Sequence, residues 1–387
     1  MAKRRSRAPK SGRSIRKKRR WSLLVYIAGD NNLSDAGLKD IKEMCKAGSS
    51  SKLNAGLYVG VEIDTKGEHS GSIRYEITEP DYEGVAHRTV IDRLSEKDTG
   101  DPKVLKDFLK WGLKRYPADN CLLVVGGHGL GFRSPVRNIA YDDFGSSLDM
   151  SEMERALRRA GIDSANPLQI LGFDACLMSM VEIAHHFASQ TEIIVSSQHT
   201  EPEDGWPYRE VLKRAKEAKT PKELAKGIVK DYKKDYEKRR IKNVTLSAVR
   251  TGDTQAVIRA LHILGKVLCK KFDAFKDKFH AIRIETQTFY MADYIDLIHI
   301  SEQIFKKIPD SSIKKAAGDV KEKAEKSIII NEKYPEKRGS VLKNANGLSV
   351  WFPATDRIYF KNRAKYMELH CNDSKFGWKS FLDRYHQ

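Results

Sequence analysis

No cysteine in this chain has a near neighbour of its own kind. The five stand singly at 45, 121, 176, 269 and 371, an odd count without a Cys-x-x-Cys pair. That usage argues against a disulfide framework and against a zinc finger. It fits a reducing compartment, so a cytoplasmic location is expected, and it leaves Cys176 free for chemistry. Long apolar runs are missing as well: none approaches the roughly 18 residues of a membrane span, so a soluble chain without a membrane partner is expected. Trp21 to Ala28 follows Arg19-Arg20 as a short apolar run, but Asp30 comes at once and no small-residue cleavage site is evident, so an export signal is not expected. Neither GxGxxG nor GxxxxGK[ST] occurs, which lowers the nucleotide-binding reading. Repeats of fixed period and a Pro/Gly/Ser-rich linker are also absent.

Acid is missing from the first twenty residues. They hold eleven Lys and Arg, which is eleven of the net +18 charges of the 387-residue chain. A segment with almost no apolar side chain cannot offset its ordering entropy, so residues 1–20 are expected to form a disordered basic tail. A solvated or regulatory role is the plainest reading, and an anionic partner such as nucleic acid is the alternative. Without the tail the body is only mildly basic, and the Lys/Arg-rich helices from 213 to 242 read as solvated faces.

What is present is alternation. Short apolar runs at Trp21 to Ala28, Leu57 to Ile63, Cys121 to Val125, Leu168 to Phe173 and Glu192 to Ser197 alternate with helical spacing. Helices are expected at Asp35 to Ala47, Val104 to Leu113, Ser151 to Ala160 (a Ser-x-x-Glu start) and Met178 to Ala188. Strands alternating with helices imply a mainly parallel α/β sheet covered on both faces. The second half is more helical, at Pro221 to Arg239, Thr254 to Phe279, Tyr290 to Ile308 and Ile313 to Glu332, with strands at Thr245 to Val249 and Leu348 to Phe352. The division expected is a catalytic α/β region over 21–210 and a helical continuation over 211–387 that returns a strand, 345–353, to the sheet.

Ligands bind such sheets at the carboxyl ends of the strands. His128, Asp174, Cys176 and Asp204 all fall at such ends or in the loop just beyond. A cysteine peptidase needs a thiolate-competent Cys, a His to protonate the leaving amine and donors for the oxyanion. Cys176 precedes an expected helix whose N-terminal donors favour thiolate. Gly129, after His128, lets the backbone approach a substrate carbonyl, and its N–H is the candidate oxyanion donor. Taken singly these signals are weak, since an isolated Cys is more often structural and a Gly-rich turn can cradle a phosphate. His185 and His186 lie in a helix without an i,i+4 partner and read as structural. His199 reads as a passive loop residue.

Several blocks together carry a family resemblance. A strand entering His128-Gly129 is followed about fifty residues later by a strand entering Asp174-Ala175-Cys176. Trp21 to Leu33, with its Asp30-Asn31-Asn32 turn, Ile139 to Asp143, Gly172 to Met178, Gly205 to Tyr208, Tyr294 to Leu297 and Gly347 to Pro353 complete the set. The chain resembles the clostripain-like cysteine peptidases, relatives of caspases, legumains and gingipains. The resemblance implies a caspase-like fold, a Cys176–His128 dyad, and a pocket for the residue before the scissile bond lined by Asp174 and Asp204, so that protein or peptide substrates are cut after Arg or Lys. The other reading of Asp174 is a helix cap; that of Asp204 is a solvated loop acid, with Glu201 and Glu203 as neighbours able to replace it. Relatives mature by cutting themselves between the His and the Cys, and Arg137 is the candidate self-cleavage site in that interval. Some relatives depend on calcium, but no DxDxDG-type loop occurs here and no cofactor is expected; Asp142-Asp143 is an acid-rich stretch that leaves calcium open. A monomer is expected. A non-catalytic interaction protein on the same fold and a nucleic-acid binder acting through the tail are the rival classes.

Overall fold

The computed structural model describes residues 16–52, 55–65, 71–132, 139–143, 145–336, 342–371 and 375–387. Arg137 and residues 1–15 lie outside this set. Five strands are mutually parallel: β1 (Arg19–Gly29), β2 (Leu57–Thr65), β5 (Ala118–Gly126), β6 (Leu168–Asp174) and β7 (Thr191–Ser196). Four more run antiparallel to their neighbours, β3 (Ile73–Ile77) and β4 (Arg88–Arg93) at one edge, β8 (Val244–Arg250) and β10 (Ile328–Tyr334) at the other. The order is β10-β8-β7-β6-β5-β1-β2-β3-β4, a nine-stranded sheet. β1 and β2 are buried over almost their whole length, as expected of parallel strands with both faces covered.

Two apolar cores lie on the two faces. One is built by helices α1 (Ser34–Cys45), α5 (Tyr208–Glu217) and α6 (Pro221–Arg239). The other is built by α2 (Pro102–Arg115), α3 (Met150–Arg159), α4 (Val181–His186) and α7 (Thr251–Lys270), with α8 (Phe272–Glu285), α9 (Leu297–Lys307), α10 (Ser311–Ser327), α11 (Asp356–Met367) and α12 (Gly377–Tyr385) packed beyond. The helix starts follow ordinary capping chemistry: Asp101 caps α2 ahead of Pro102, and Thr220 caps α6 ahead of Pro221. For α3 the capping box is Asp149 with Glu152, two residues before the Ser151/Glu154 start read from the sequence.

Four expectations need correction. Strand β1 begins at Arg19, and Arg16 is bidentate to Glu76, so the last residues of the basic tail belong to the fold. The segment near 345–353 does not return to the main sheet. Its strand β11 (Ser349–Trp351) pairs with β9 (Tyr294–Asp296) in a separate two-stranded ribbon, and β8 and β10 are the strands that extend the large sheet. The helix expected through Glu332 stops at Ser327, because the β-branched run Ile328-Ile329-Ile330 favours a strand. Helix α4 is also shorter than expected, six residues starting at Val181, five positions beyond Cys176.

Candidate active site

The register of the two central strands brings the site together. In the β5–β6 pair, Gly126 stands opposite Asp174. His128 and Cys176 each follow two residues later, just past the ends of adjacent strands that lie about 4.8 Å apart. Both line one cavity of about 350 Å³, together with Asn32, Asp40, Gly129, Asp174, Glu201 and Tyr290. The Gly127 backbone sits at φ +136°, a conformation that lets the chain turn between the strand and His128.

The His128 Nε2 lies 2.7 Å from Asn32 Oδ1. A carbonyl oxygen only accepts, so Nε2 carries a hydrogen, and in the neutral ring the lone pair is then on Nδ1. Asn32 is held by the turn after β1: Asn31 gives its side-chain amide to the carbonyls of Ala28 and Tyr141, and its own Oδ1 accepts from the Leu33 N–H. The Tyr141 ring meets the His128 ring edge-on at 6.4 Å.

The Cys176 sulfur accepts the Glu201 N–H at 3.2 Å. Burial pushes the thiol above its ordinary pKa, that N–H opposes the shift, and the Asp174 charge adds to it. The expected thiolate-stabilising helix is not in place, since α4 starts too far along and is too short to act on the sulfur. Leu177 instead takes a left-handed conformation (φ +64°), uncommon for a non-glycine residue. Gly129 packs directly on the cysteine: a Cβ there would stand 2.7 Å from the Cys176 carbonyl oxygen.

One wall of the cavity is acidic. Asp174 is buried, its Oδ2 accepting from the Trp206 N–H (3.2 Å) and the Tyr208 hydroxyl (2.9 Å). It caps no helix, because the N-cap of α4 is Met180. Burial raises its pKa to about 6 against those hydrogen bonds. Glu201 is pushed well above the ordinary range by burial and then by the Asp174 charge. Neither Glu201 oxygen makes a hydrogen bond of good geometry, although Asp174 and the Trp206 indole are within reach. Asp40, from α1, is raised to about 9 by burial and then by Asp174. The cavity lining contains no Lys or Arg among the described residues.

Asp204 is the correction to the sequence reading. It does not line the cavity; Lys39 and Arg239 both engage its carboxylate at the surface. Gly205 beside it (φ +57°) is the residue that faces Asp174, and a Cβ there would meet the Asp174 carboxylate at 2.9 Å. His199 accepts the Tyr290 N–H through Nδ1 and so braces the cavity rim. Sequence reasoning treated Asn32 only as part of a turn and gave Asp40 no role. Asp40 had a signal: it interrupts the buried stripe Gly37, Ile41, Met44 of α1.

Among the described residues, Glu154, His186 and His370 have ligand atoms within 4.8 Å of one another. The His186 Nδ1 accepts the His370 N–H, which leaves its proton on Nε2, facing Glu154 at 3.9 Å. A ligating Nε2 would have to give up that arrangement, so a structural His-carboxylate contact describes the group better. Asp142 is buried and accepts from both the N–H and the hydroxyl of Thr99.

The sequence model of the clostripain family, peptidase C11, matches residues 25–385. The chain belongs to the clostripain family of cysteine peptidases. The clostripain of Hathewaya histolytica is 27% identical over 228 residues, covering 52% of this chain and 43% of that protein. The chain therefore matches less than half the length of its curated relative. The fold is that of C11 proteases, mainly parallel and caspase-like. A secreted C11 cysteine protease from Bacteroides thetaiotaomicron, solved with an irreversible peptide inhibitor, gives a TM-score of 0.71 at 20% identity, over 93% of this chain and 99% of that one. An inactive zymogen C11 protease from Parabacteroides distasonis gives 0.72 at 18% identity, over 97% and 100%.

The expectation of a cytoplasmic location is overturned by these relatives, since C11 proteases from Bacteroides thetaiotaomicron are described as secreted. Single cysteines do not report the compartment: Cys121 and Cys371 are buried in the fold and the other three are half-buried, whatever the surroundings.

Proposed function

We propose that this chain is a cysteine endopeptidase that hydrolyses the bond after Arg or Lys, with Cys176 as nucleophile, His128 as its proton partner and Asp174 as a pocket acid. The observation that carries the reading is the shared cavity at the ends of β5 and β6, where thiol and imidazole meet an acidic wall that holds no Lys or Arg among the described residues. The His128 Nδ1 takes the thiol proton, and the sulfur attacks the substrate carbonyl carbon. The Gly129 N–H receives the developing oxyanion. The imidazolium then protonates the leaving amine, and His128 acts as base for the water that cleaves the thioester. A guanidinium or ammonium in the pocket pairs with the Asp174 carboxylate, a charge-assisted contact strengthened where water is excluded. Protein or peptide substrates with basic residues follow from this reading.

Fluorogenic peptides ending in Arg, Lys, Asp or Asn, assayed beside Cys176→Ala, test it. Cleavage of Arg or Lys peptides by wild type and none by the mutant is expected; preference for Asp or Asn would overturn the acidic-pocket assignment. We also propose self-cleavage after Arg137, in line with a relative described as an inactive zymogen. Intact mass of wild type beside Cys176→Ala checks it, and an active enzyme of full length would remove it.

A further inference from the structure

The pocket reading uses one carboxylate, Asp174, yet the same cavity holds two further acids, and its lining offers them no Lys or Arg among the described residues. Asp40 is 9% exposed, lines the cavity, and has no hydrogen bond or ion pair among the described residues. An unpaired carboxyl is costly to bury, and native proteins rarely leave one so without a reason. The cation next to it is committed elsewhere: Lys39, its neighbour on α1, binds Asp204. Glu201 repeats the pattern from the other side. Its two oxygens are shielded from solvent without a hydrogen bond of good geometry, and its backbone N–H is the one that holds the Cys176 sulfur.

We propose that Asp40 and Glu201 are specificity-determining residues of the basic-residue pocket, reaching it from α1 and from the loop after β7. A guanidinium or ammonium entering the cavity is then met by three carboxyls from three separate elements: Asp174 on β6, Asp40 on α1 and Glu201 on the loop. An entering cation favours the ionised forms of these acids and so draws off the protons that burial keeps on them. A neutral side chain of the same shape leaves these groups unpaired, so discrimination falls on charge rather than on size. The shape of the pocket supports this, since the missing side chain of Gly205 keeps the Asp174 carboxylate uncovered.

This inference rests on the peptidase reading above, and the test separates the two. Peptides that differ only in Arg, Lys or citrulline before the scissile bond are compared by kcat/KM, citrulline being the neutral counterpart of Arg. Asp40→Asn and Glu201→Gln, both nearly isosteric, are each expected to cut the Arg-to-citrulline ratio by about tenfold, the scale of one charge-assisted hydrogen bond. Asp40→Glu is expected to restore part of the loss. Agmatine, a guanidinium without a scissile bond, gives a second measurement on the Cys176→Ala chain, with binding about tenfold weaker in either variant. Wild type that cuts Arg peptides, with both variants keeping the ratio and the agmatine affinity within twofold, would overturn this inference alone. Wild type that cuts neither basic peptide overturns both readings.

Discussion

The Glu201 backbone N–H donates to the Cys176 sulfur at 3.2 Å, while the carboxyl of the same residue turns toward Asp174. One loop residue therefore touches both the thiol and the acidic wall. This ties the position of the sulfur to the protonation of the pocket. It also shapes how substitutions at the site should behave.

Asn32 is expected to act as a positioning residue. Its Oδ1 holds a hydrogen on His128 Nε2, so that Nδ1 is the base in the proposed mechanism. Asn32→Ala should lower kcat by roughly 10–100-fold with KM little changed, because the loss falls on proton transfer and not on substrate contacts. Steady-state kinetics on an Arg peptide checks this. A purely structural Asn32 would move stability and leave kcat intact.

Asp204 gives the sharpest separation between the family-based expectation and the structure. Its carboxylate is already engaged by Lys39 and Arg239 outside the cavity. Asp204→Ala should lower kcat/KM by less than about tenfold, whereas Asp174→Ala should lose about 100-fold or more, the usual scale for removing a buried charged partner. Equal losses at the two positions would contradict this geometry.

Gly129 has no room for a methyl group, since a Cβ would stand 2.7 Å from the Cys176 carbonyl. Gly129→Ala must push either the His128 turn or the cysteine strand end aside. A misplacement of about 1 Å near the reacting atoms costs on the order of 100-fold. The expected result is a kcat at least that much lower with the melting temperature changed by only a few degrees, read by kinetics and thermal unfolding together.

The sheet, and the strand ends at which His128 and Cys176 stand, were legible because they rest on local patterns. Apolar runs as short as Leu168 to Phe173, spaced between helical patterns, read as buried strands, and chemistry gathers where such strands end. The pocket was only half legible. Asp174 adjoins the cysteine in sequence, but Asp40 comes from a helix 136 residues upstream of Cys176, and only its place on the buried face of α1 marked it. Asp204 misled because a loop acid near Gly205-Trp206 looks the same in sequence whether it faces the cavity or the surface. What decides is the tertiary position of Lys39 and Arg239, which no spacing shows. Residues 349–351 misled similarly: a strand pattern fixes the strand but not its partner, here β9.

Asp40 links specificity to stability through pH. Its pKa is raised from 3.8 to about 9 in the folded chain, chiefly by burial and next by Asp174, with Glu43 adding to the rise and Lys39 opposing it. In the unfolded chain it ionises near 3.8, so between that value and about 9 the unfolded state releases a proton that the folded state keeps. Stability contributed by this group is fully present below about pH 4 and is lost as pH rises toward 9. Asp40→Asn cannot ionise and escapes the loss. The variant should therefore be more stable than wild type at pH 8, by up to about 1.4 kcal/mol for each pH unit over which only the unfolded chain has lost the proton, and this advantage should vanish near pH 4. Denaturant unfolding at the two pH values measures it. The same variant should lose charge discrimination, so a gain in stability with a loss in specificity is the joint signature; equal stability at both pH values would show that the Asp40 carboxyl is not confined in the cavity wall.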